Sequence, residues 1–153
     1  GDMIRVADVD GDGHADVLVA SAGDRSVRAF INNGAAGAAA LAFTERIVTT
    51  AADTPVALAT GDVDADGTVD IVVANGRLVD GTFILVRSTS GFAHGANTTV
   101  RVLGSASGPR GVAVADVDGD GDVDVVGVSS VDDSLRVFAN DGGSGGGGGG
   151  GGA

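Results

Sequence analysis

The sequence predicts an all-β fold made of antiparallel four-stranded blades, the unit from which a β-propeller is built. An Asp- and Gly-rich pattern begins at Asp8, Asp62 and Asp116, at intervals of 54 residues, and a repeat of this length is typical of propellers and related arrays. Short Val- and Ile-rich runs flank each copy, as strands would. The apolar residues are small, with five Phe and neither Trp nor Tyr, which suits closely packed sheets.

Each repeat divides into short strands in a constant order. The first strand precedes the acidic loop, as "IRVADV", "PVALATGDV" and "GVAVADV", and the second follows it, as "DVLVAS", "DIVVAN" and "DVVGVSS". Third strands are "SVRAFIN", "TFILVRS" and "SLRVFAN", and fourth strands, "FTERIVT" and "TTVRVLG", occur in the first two repeats. We therefore expect two complete blades, at 1–54 and 55–108, and most of a third at 109–141.

Two segments fall outside this pattern. The alanine-rich "GAAGAAALAF" is short and interrupted by glycine, so we expect a loop there. Residues 142–153 are almost entirely glycine and cannot pack as the missing fourth strand. This tail is a flexible linker, a Gly-rich insertion before a later strand, or a segment not natural to the protein.

The charge of the chain is unusual in kind and in position. The net charge is −12, and 20 of the 21 acidic residues are Asp, while all nine basic residues are Arg. Thirteen Asp lie in the three acidic loops, which points to bound cations. So negative a chain is a poor partner for nucleic acid.

Cysteine is absent, and no apolar run is long enough to insert into a membrane. The first residues lack a signal-peptide pattern and resemble a strand cut from a longer chain.

The three acidic loops share one arrangement of side chains. If the first Asp is position 1, carboxylates fall at positions 1, 3, 5 and 9 and a glycine falls at position 6. The carboxylates are Asp8, Asp10, Asp12 and Asp16; Asp62, Asp64, Asp66 and Asp70; and Asp116, Asp118, Asp120 and Asp124. Position 7 varies among His14, Thr68 and Asp122, as expected for a residue that offers its backbone carbonyl.

This donor set suits a hard cation, and we predict three Ca²⁺ sites. Ca²⁺ accepts six to eight oxygen ligands, whereas Mg²⁺ demands a stricter octahedron and Zn²⁺ prefers His or Cys. An EF-hand loop would carry Glu at position 12, where this chain has Val19, Val73 and Gly127. The alternative is an acidic turn that holds no metal; a single copy would leave it open, but three matching copies disfavour it.

The loops with their following Val/Ile strands, together with "RVFANDG", make the chain resemble the FG-GAP/VCBS repeat family, whose integrin-α-like blades form β-propellers. The resemblance covers about residues 1–142. It implies one Ca²⁺ per loop, held by the twelve aspartates named above and the carbonyls of His14, Thr68 and Asp122. Family propellers close with more blades than this chain holds, so it is a fragment, an assembling subunit or an open array.

These patterns lead us to expect a module without enzymatic activity. His14 and His94 have no paired catalytic partner in the sequence, and no phosphate-binding loop is present. The resemblance implies an extracellular or cell-surface module for adhesion, surface structure or ligand display, with calcium in a structural role. Its partners would be a protein or glycan at a cell surface, or other copies of itself. Two alternatives stay open: a filament or sheath subunit assembled by blade pairing, and a non-catalytic part of a larger secreted enzyme.

Overall fold

A computed structural model describes residues 3–34, 42–77, 81–88, 92 and 98–141. Within these ranges every regular element is a β-strand. The first sheet contains β1 (Met3–Ala7), β2 (Asp16–Ser21), β3 (Ser26–Asn32) and β4 (Phe43–Thr49). The second contains β5 (Pro55–Gly61), β6 (Asp70–Asn75), β7 (Gly81–Ser88) and β8 (Thr98–Ala106). The third contains β9 (Pro109–Ala115), β10 (Asp124–Ser129) and β11 (Leu135–Phe138).

The strands of each sheet lie side by side in chain order and pair antiparallel. The predicted all-β fold of antiparallel blades is therefore confirmed, with four, four and three strands, and the three sheets do not close a ring. Most of "GAAGAAALAF", His94 and the glycine tail lie outside the described residues. The predictions made for them, and for the exact limits of the repeats, stay predictions.

Alternation along the strands explains how the sheets stack. Successive side chains of a strand point to opposite faces, and in β2 the residues Leu18 and Ala20 are fully buried. They pack against Ile71 and Val73, which β6 presents to the first sheet. In β6 the alternate residue Val72 faces the third sheet. The middle sheet is consequently apolar on both faces.

The junction between the second and third sheets is built around aromatic rings and glycines. Phe83 is fully buried, and its ring centroid lies 5.6 Å from that of Phe138 at an interplanar angle of 57°. A Cβ on Gly127 would meet the Phe83 ring at 2.5 Å, and one on Gly104 would meet Phe138 at 2.7 Å. Glycine at these two positions thus makes room for the rings that join the sheets.

Each acidic loop joins the first two strands of its sheet. The last ladder pairs before the loops are Ala7 with Asp16, Gly61 with Asp70, and Ala115 with Asp124. The ninth residue of every loop is therefore also the first residue of β2, β6 or β10. This register fixes one carboxylate of each loop to the rigid end of a sheet.

Candidate metal centres

The acidic loops are held in shape by their own carboxylates. Asp8 accepts hydrogen bonds from the backbone N–H groups of Gly11 and Gly13, both at 2.8 Å. These glycines have φ of 78° and 87°, a conformation that costs glycine little and other residues more. The third loop repeats the arrangement from Asp116, with bonds of 2.7 Å and 3.0 Å to Gly119 and Gly121.

The second loop differs slightly in its turn. Ala65 stands where the first loop has Gly11 and adopts a φ of 56°. Asp62 accepts bonds from the N–H groups of Asp66 at 3.1 Å and Gly67 at 2.9 Å. All three loops thus turn around the carboxylate at position 1. This turn places the later carboxylates close to it.

The carboxylates at position 9 are buried inside the protein. Asp16, Asp70 and Asp124 are each 0% exposed. Asp16 accepts a bond from Val9 N–H at 2.9 Å through Oδ2 and one from Asn32 N–H at 2.8 Å through Oδ1. Asp16 therefore ties the loop to the end of β3, since Asn32 is the last residue of that strand.

The same buried position has different partners in the other two repeats. Asp124 accepts bonds from Val117 N–H at 2.9 Å and Asn140 N–H at 2.8 Å, and these donors lower its pKa. Asp70 accepts Val63 N–H at 3.0 Å through Oδ2, but within the described part of the chain its Oδ1 has no hydrogen-bond partner. Burial raises the pKa of Asp70 to about 6. The second loop therefore contains a buried oxygen with an unused lone pair.

Each loop gathers carboxylate oxygens closely enough to hold a metal ion. In three groups, one oxygen from each member lies within 4.8 Å of the others. The groups are Asp8, Asp10 and Asp16; Asp62, Asp64 and Asp66; and Asp116, Asp118 and Asp124. Oxygens on one coordination sphere of Ca²⁺, with bonds of about 2.3–2.6 Å, span up to about 5 Å. The spacing and the all-oxygen chemistry both fit a hard divalent cation.

The remaining predicted ligands lie in the same loops but outside these groups. Asp12 accepts a bond from His14 N–H at 2.8 Å, and Asp120 accepts one from Asp122 N–H at 2.9 Å. Asp70 is the predicted ligand that the second group leaves out. The carbonyls of His14, Thr68 and Asp122 stay predicted ligands. The His14 ring is half-exposed and its Nδ1 lies 3.1 Å from Asp12 Oδ1.

Neighbouring negative charges act on the exposed carboxylates. Burial and the charges of Asp12, Asp16 and Asp8 raise the pKa of Asp10, against a lowering contribution from the Asp12 N–H group. For Asp118, the Asp120 N–H group lowers the pKa, but incomplete solvation of the carboxylate and the charges of Asp120, Asp124 and Asp116 outweigh it and the pKa is raised. A divalent cation between these carboxylates would relieve that repulsion.

An arginine side chain from β7 lies beside the second loop. Arg87 Nη2 lies 3.0 Å from Asp64 Oδ2, and its buried Nε has no partner among the described residues. Ile31 and Ala139 hold the matching positions in β3 and after β11. Only the second of these three positions therefore brings a guanidinium to its acidic group. Sequence reasoning missed Arg87, although aligning "FIN", "VRS" and "FAN" would have shown it as the exception.

One asparagine connects two neighbouring loops. Asn140 donates its side-chain N–H to the backbone carbonyl of Val63 in the second loop and, at 3.3 Å, to that of Val123 in the third. Its backbone N–H binds Asp124. Asn140 thus links the second and third candidate centres across the sheet junction.

The comparison with family models agrees with this architecture. Residues 8–73, which include the first two acidic loops, match the model of the FG-GAP-like repeat. Over these residues the chain is similar to the FG-GAP-like repeat family. Together with the three antiparallel sheets, this match supports a β-propeller-type repeat module. A search of curated proteins found no match. The described part of the chain contains no helix that could span a membrane.

Proposed function

We propose that this FG-GAP-like module binds Ca²⁺ at its three acidic loops and that the ions are structural. The observation that carries the proposal is the threefold grouping of carboxylate oxygens within 4.8 Å at the same place in each sheet. Bound Ca²⁺ would supply a concentrated positive charge that draws these oxygens together. The chain itself provides the remaining order, through the backbone bonds to Asp8, Asp62 and Asp116.

The buried carboxylate at position 9 makes the proposed role architectural. Asp16 and Asp124 each accept two backbone N–H groups, one from the acidic loop and one from the end of the third strand or just after it. An ion that contacts these aspartates would brace the hairpin against the third strand of the same sheet. In the second loop the Oδ1 of Asp70, which has no hydrogen-bond partner among the described residues, is a buried acceptor that a rearranged, metal-bound loop could use.

We further propose that the module works outside the cell, without catalysis, in adhesion, surface structure or ligand display. Extracellular modules bind Ca²⁺ with dissociation constants of about 10⁻⁴–10⁻³ M, so a calcium-rich exterior would keep such sites filled. The family match supports this setting. Its ligand would be a protein or glycan at a cell surface, or another copy of the chain.

Thermal unfolding tests the structural role of calcium. At a Ca²⁺ concentration ten times the dissociation constant, each site would add about 1.4 kcal/mol to the free energy of unfolding. Three sites would then raise the midpoint by about 10 °C. The measurement follows far-UV circular dichroism of the metal-free chain with Ca²⁺, with Mg²⁺ and with NaCl at matched ionic strength. An equal rise with NaCl would mean simple charge screening and would refute the proposal.

A further inference from the structure

The residue that follows β11 closely, Asn140, contacts both the second and the third acidic loop. Its side-chain N–H group donates to the carbonyl of Val63 in the second loop and, at 3.3 Å, to that of Val123 in the third. Its backbone N–H group donates to Oδ1 of the buried Asp124 at 2.8 Å. Val63 N–H in turn donates to Oδ2 of the buried Asp70 at 3.0 Å. A series of hydrogen bonds therefore joins the position 9 carboxylates of these two loops.

The equivalent asparagine of the first sheet makes only contacts within that sheet among the described residues. Strand register places Asn32 at the position of Asn140. Its backbone N–H group donates to Asp16, and its side-chain N–H group donates to the carbonyl of Ala15 at 3.3 Å. The two asparagines therefore share their bonds to their own loop, and the bond to a neighbouring loop distinguishes Asn140.

The junction between the first and second sheets is connected differently. Phe92 N–H donates to the carbonyl of Val9 at 3.2 Å, and Val9 N–H donates to Asp16. Within the described ranges no hydrogen bond continues from Phe92 to Asp70, and Oδ1 of Asp70 has no partner there. The position 9 carboxylates of the first two loops are therefore not joined by the described hydrogen bonds.

We infer that Asn140 is a positioning residue for the second and third loops and that it couples their binding of Ca²⁺. The inference rests on the calcium role proposed above. An ion that contacts Asp124 would order the end of β11 and, with it, Asn140. Asn140 then holds Val63, and so the N–H group offered to Asp70, in place before the second loop is filled. An ion that enters an already ordered loop has less conformational entropy to overcome, so its affinity rises.

This coupling has a definite sign and size. Coupling between two binding sites is reciprocal, so an ion in either loop raises the affinity of the other loop by the same factor. The small net contribution of one or two hydrogen bonds limits that factor to about three- to tenfold. Repulsion between the two ions acts in the opposite direction, but it does not depend on the side chain of Asn140. Substitution of that side chain therefore separates the two effects.

NMR titration of Ca²⁺ into the metal-free chain tests the coupling. The Gly67 amide reports the second loop because it donates to Asp62 at 2.9 Å. Asp118→Asn weakens the third site, and we expect it to raise the dissociation constant reported by Gly67 about three- to tenfold. Asp10→Asn removes the same charge from the equivalent position of the first loop. This matched control should leave the Gly67 value nearly unchanged.

Asn140→Ala completes a double-mutant cycle. In the Asn140→Ala background, Asp118→Asn should no longer change the dissociation constant that Gly67 reports. In the Asn32→Ala background, which carries the equivalent substitution in the first sheet, the full effect of Asp118→Asn should remain. A merely structural role of Asn140 would weaken binding in general and would leave the dependence of the second loop on the third in place.

Three outcomes would overturn the inference. In the first, Asp118→Asn and Asp10→Asn change the Gly67 value equally; this comparison keeps Asn140, so it decides even if Asn140→Ala does not fold. In the second, the effect of Asp118→Asn persists in folded Asn140→Ala. Either outcome, with Ca²⁺ bound at all three loops of the wild type, leaves the calcium proposal intact. In the third, no loop amide responds to Ca²⁺, which refutes the calcium proposal together with the coupling.

Discussion

Asp70→Asn is expected to stabilise the metal-free protein at pH 7, by about 1–3 kcal/mol. Asp70 is fully buried, and its Oδ1 has no partner among the described residues, so its negative charge is poorly compensated. Asparagine keeps an oxygen for the Val63 N–H and removes the charge. Denaturant unfolding in the presence of a chelator measures the difference between wild type and variant.

The pH dependence of that difference has a definite sign. The pKa of Asp70 is about 6 in the folded protein, against an ordinary value of 3.8. Between these values the folded state binds the proton more tightly than the unfolded state does, so this carboxyl's contribution to stability falls as the pH rises from about 4 through 6. The gain from Asp70→Asn should therefore be small at pH 4 and complete above pH 7. A gain that does not change with pH would contradict this origin.

Asp124→Asn is the matched control and should have the opposite effect. Both oxygens of Asp124 accept backbone N–H groups, from Val117 and Asn140. An amide has a single oxygen, so one buried N–H would face an NH₂ group and lose its acceptor, at a cost of about 1–3 kcal/mol. If the two substitutions change the free energy of unfolding in opposite directions, hydrogen bonding, rather than acidity alone, determines whether each buried aspartate stabilises the fold.

Arg87→Met is expected to strengthen calcium binding at the second loop about tenfold. The guanidinium 3.0 Å from Asp64 repels a divalent ion and occupies an oxygen that the ion would use. The substitution removes the Coulomb repulsion between the guanidinium charge and the doubly charged ion. At a separation of about 6 Å and an effective dielectric constant of about 40, this repulsion is worth roughly 1–3 kcal/mol of binding free energy. Methionine has similar length and no charge, so it fills the same space.

Residue-resolved titration by NMR can read this effect. The Gly67 amide reports the second loop, and the Gly13 and Gly121 amides report the first and third, because each donates to the carboxylate at position 1. The control is Arg110→Met, at the far end of β9 from the third acidic loop. If the dissociation constants reported by all three glycine amides fell equally, the cause would be the change in overall charge. That result would contradict the specific role of Arg87.

Much of the fold could be predicted from the sequence because the signals were local and repeated. Strands such as "DVLVAS" and "SVRAFIN" match β2 and β3 to the residue, since β-branched residues alternate there between Asp- and Gly-rich turns. The loops were readable because the same carboxylate spacing occurs three times. The prediction that residues 142–153 form no fourth strand rests on the lack of side chains in glycine, and these residues lie outside the described part of the chain.

The differences between the three sites could not be read from the loop motif. They depend on residues brought in from other strands, such as Asn32 N–H on Asp16 and Arg87 on Asp64. The second hairpin, between β6 and β7, is longer than its counterpart between β2 and β3. A constant interval of 54 residues therefore misaligns the third strands. The strand register, or an alignment of the third strands themselves, shows that Arg87 stands where the other repeats have Ile31 and Ala139.

Calorimetric titration of Ca²⁺ into the metal-free chain tests the central claim most directly. We predict three ions per chain, one for each acidic group, with dissociation constants of about 10⁻⁴–10⁻³ M. The variant with Asp10, Asp64 and Asp118 all changed to asparagine should lose this binding, and Mg²⁺ should bind more weakly to the wild type. No binding of Ca²⁺ at millimolar concentration, or equal binding of Mg²⁺, would contradict the account.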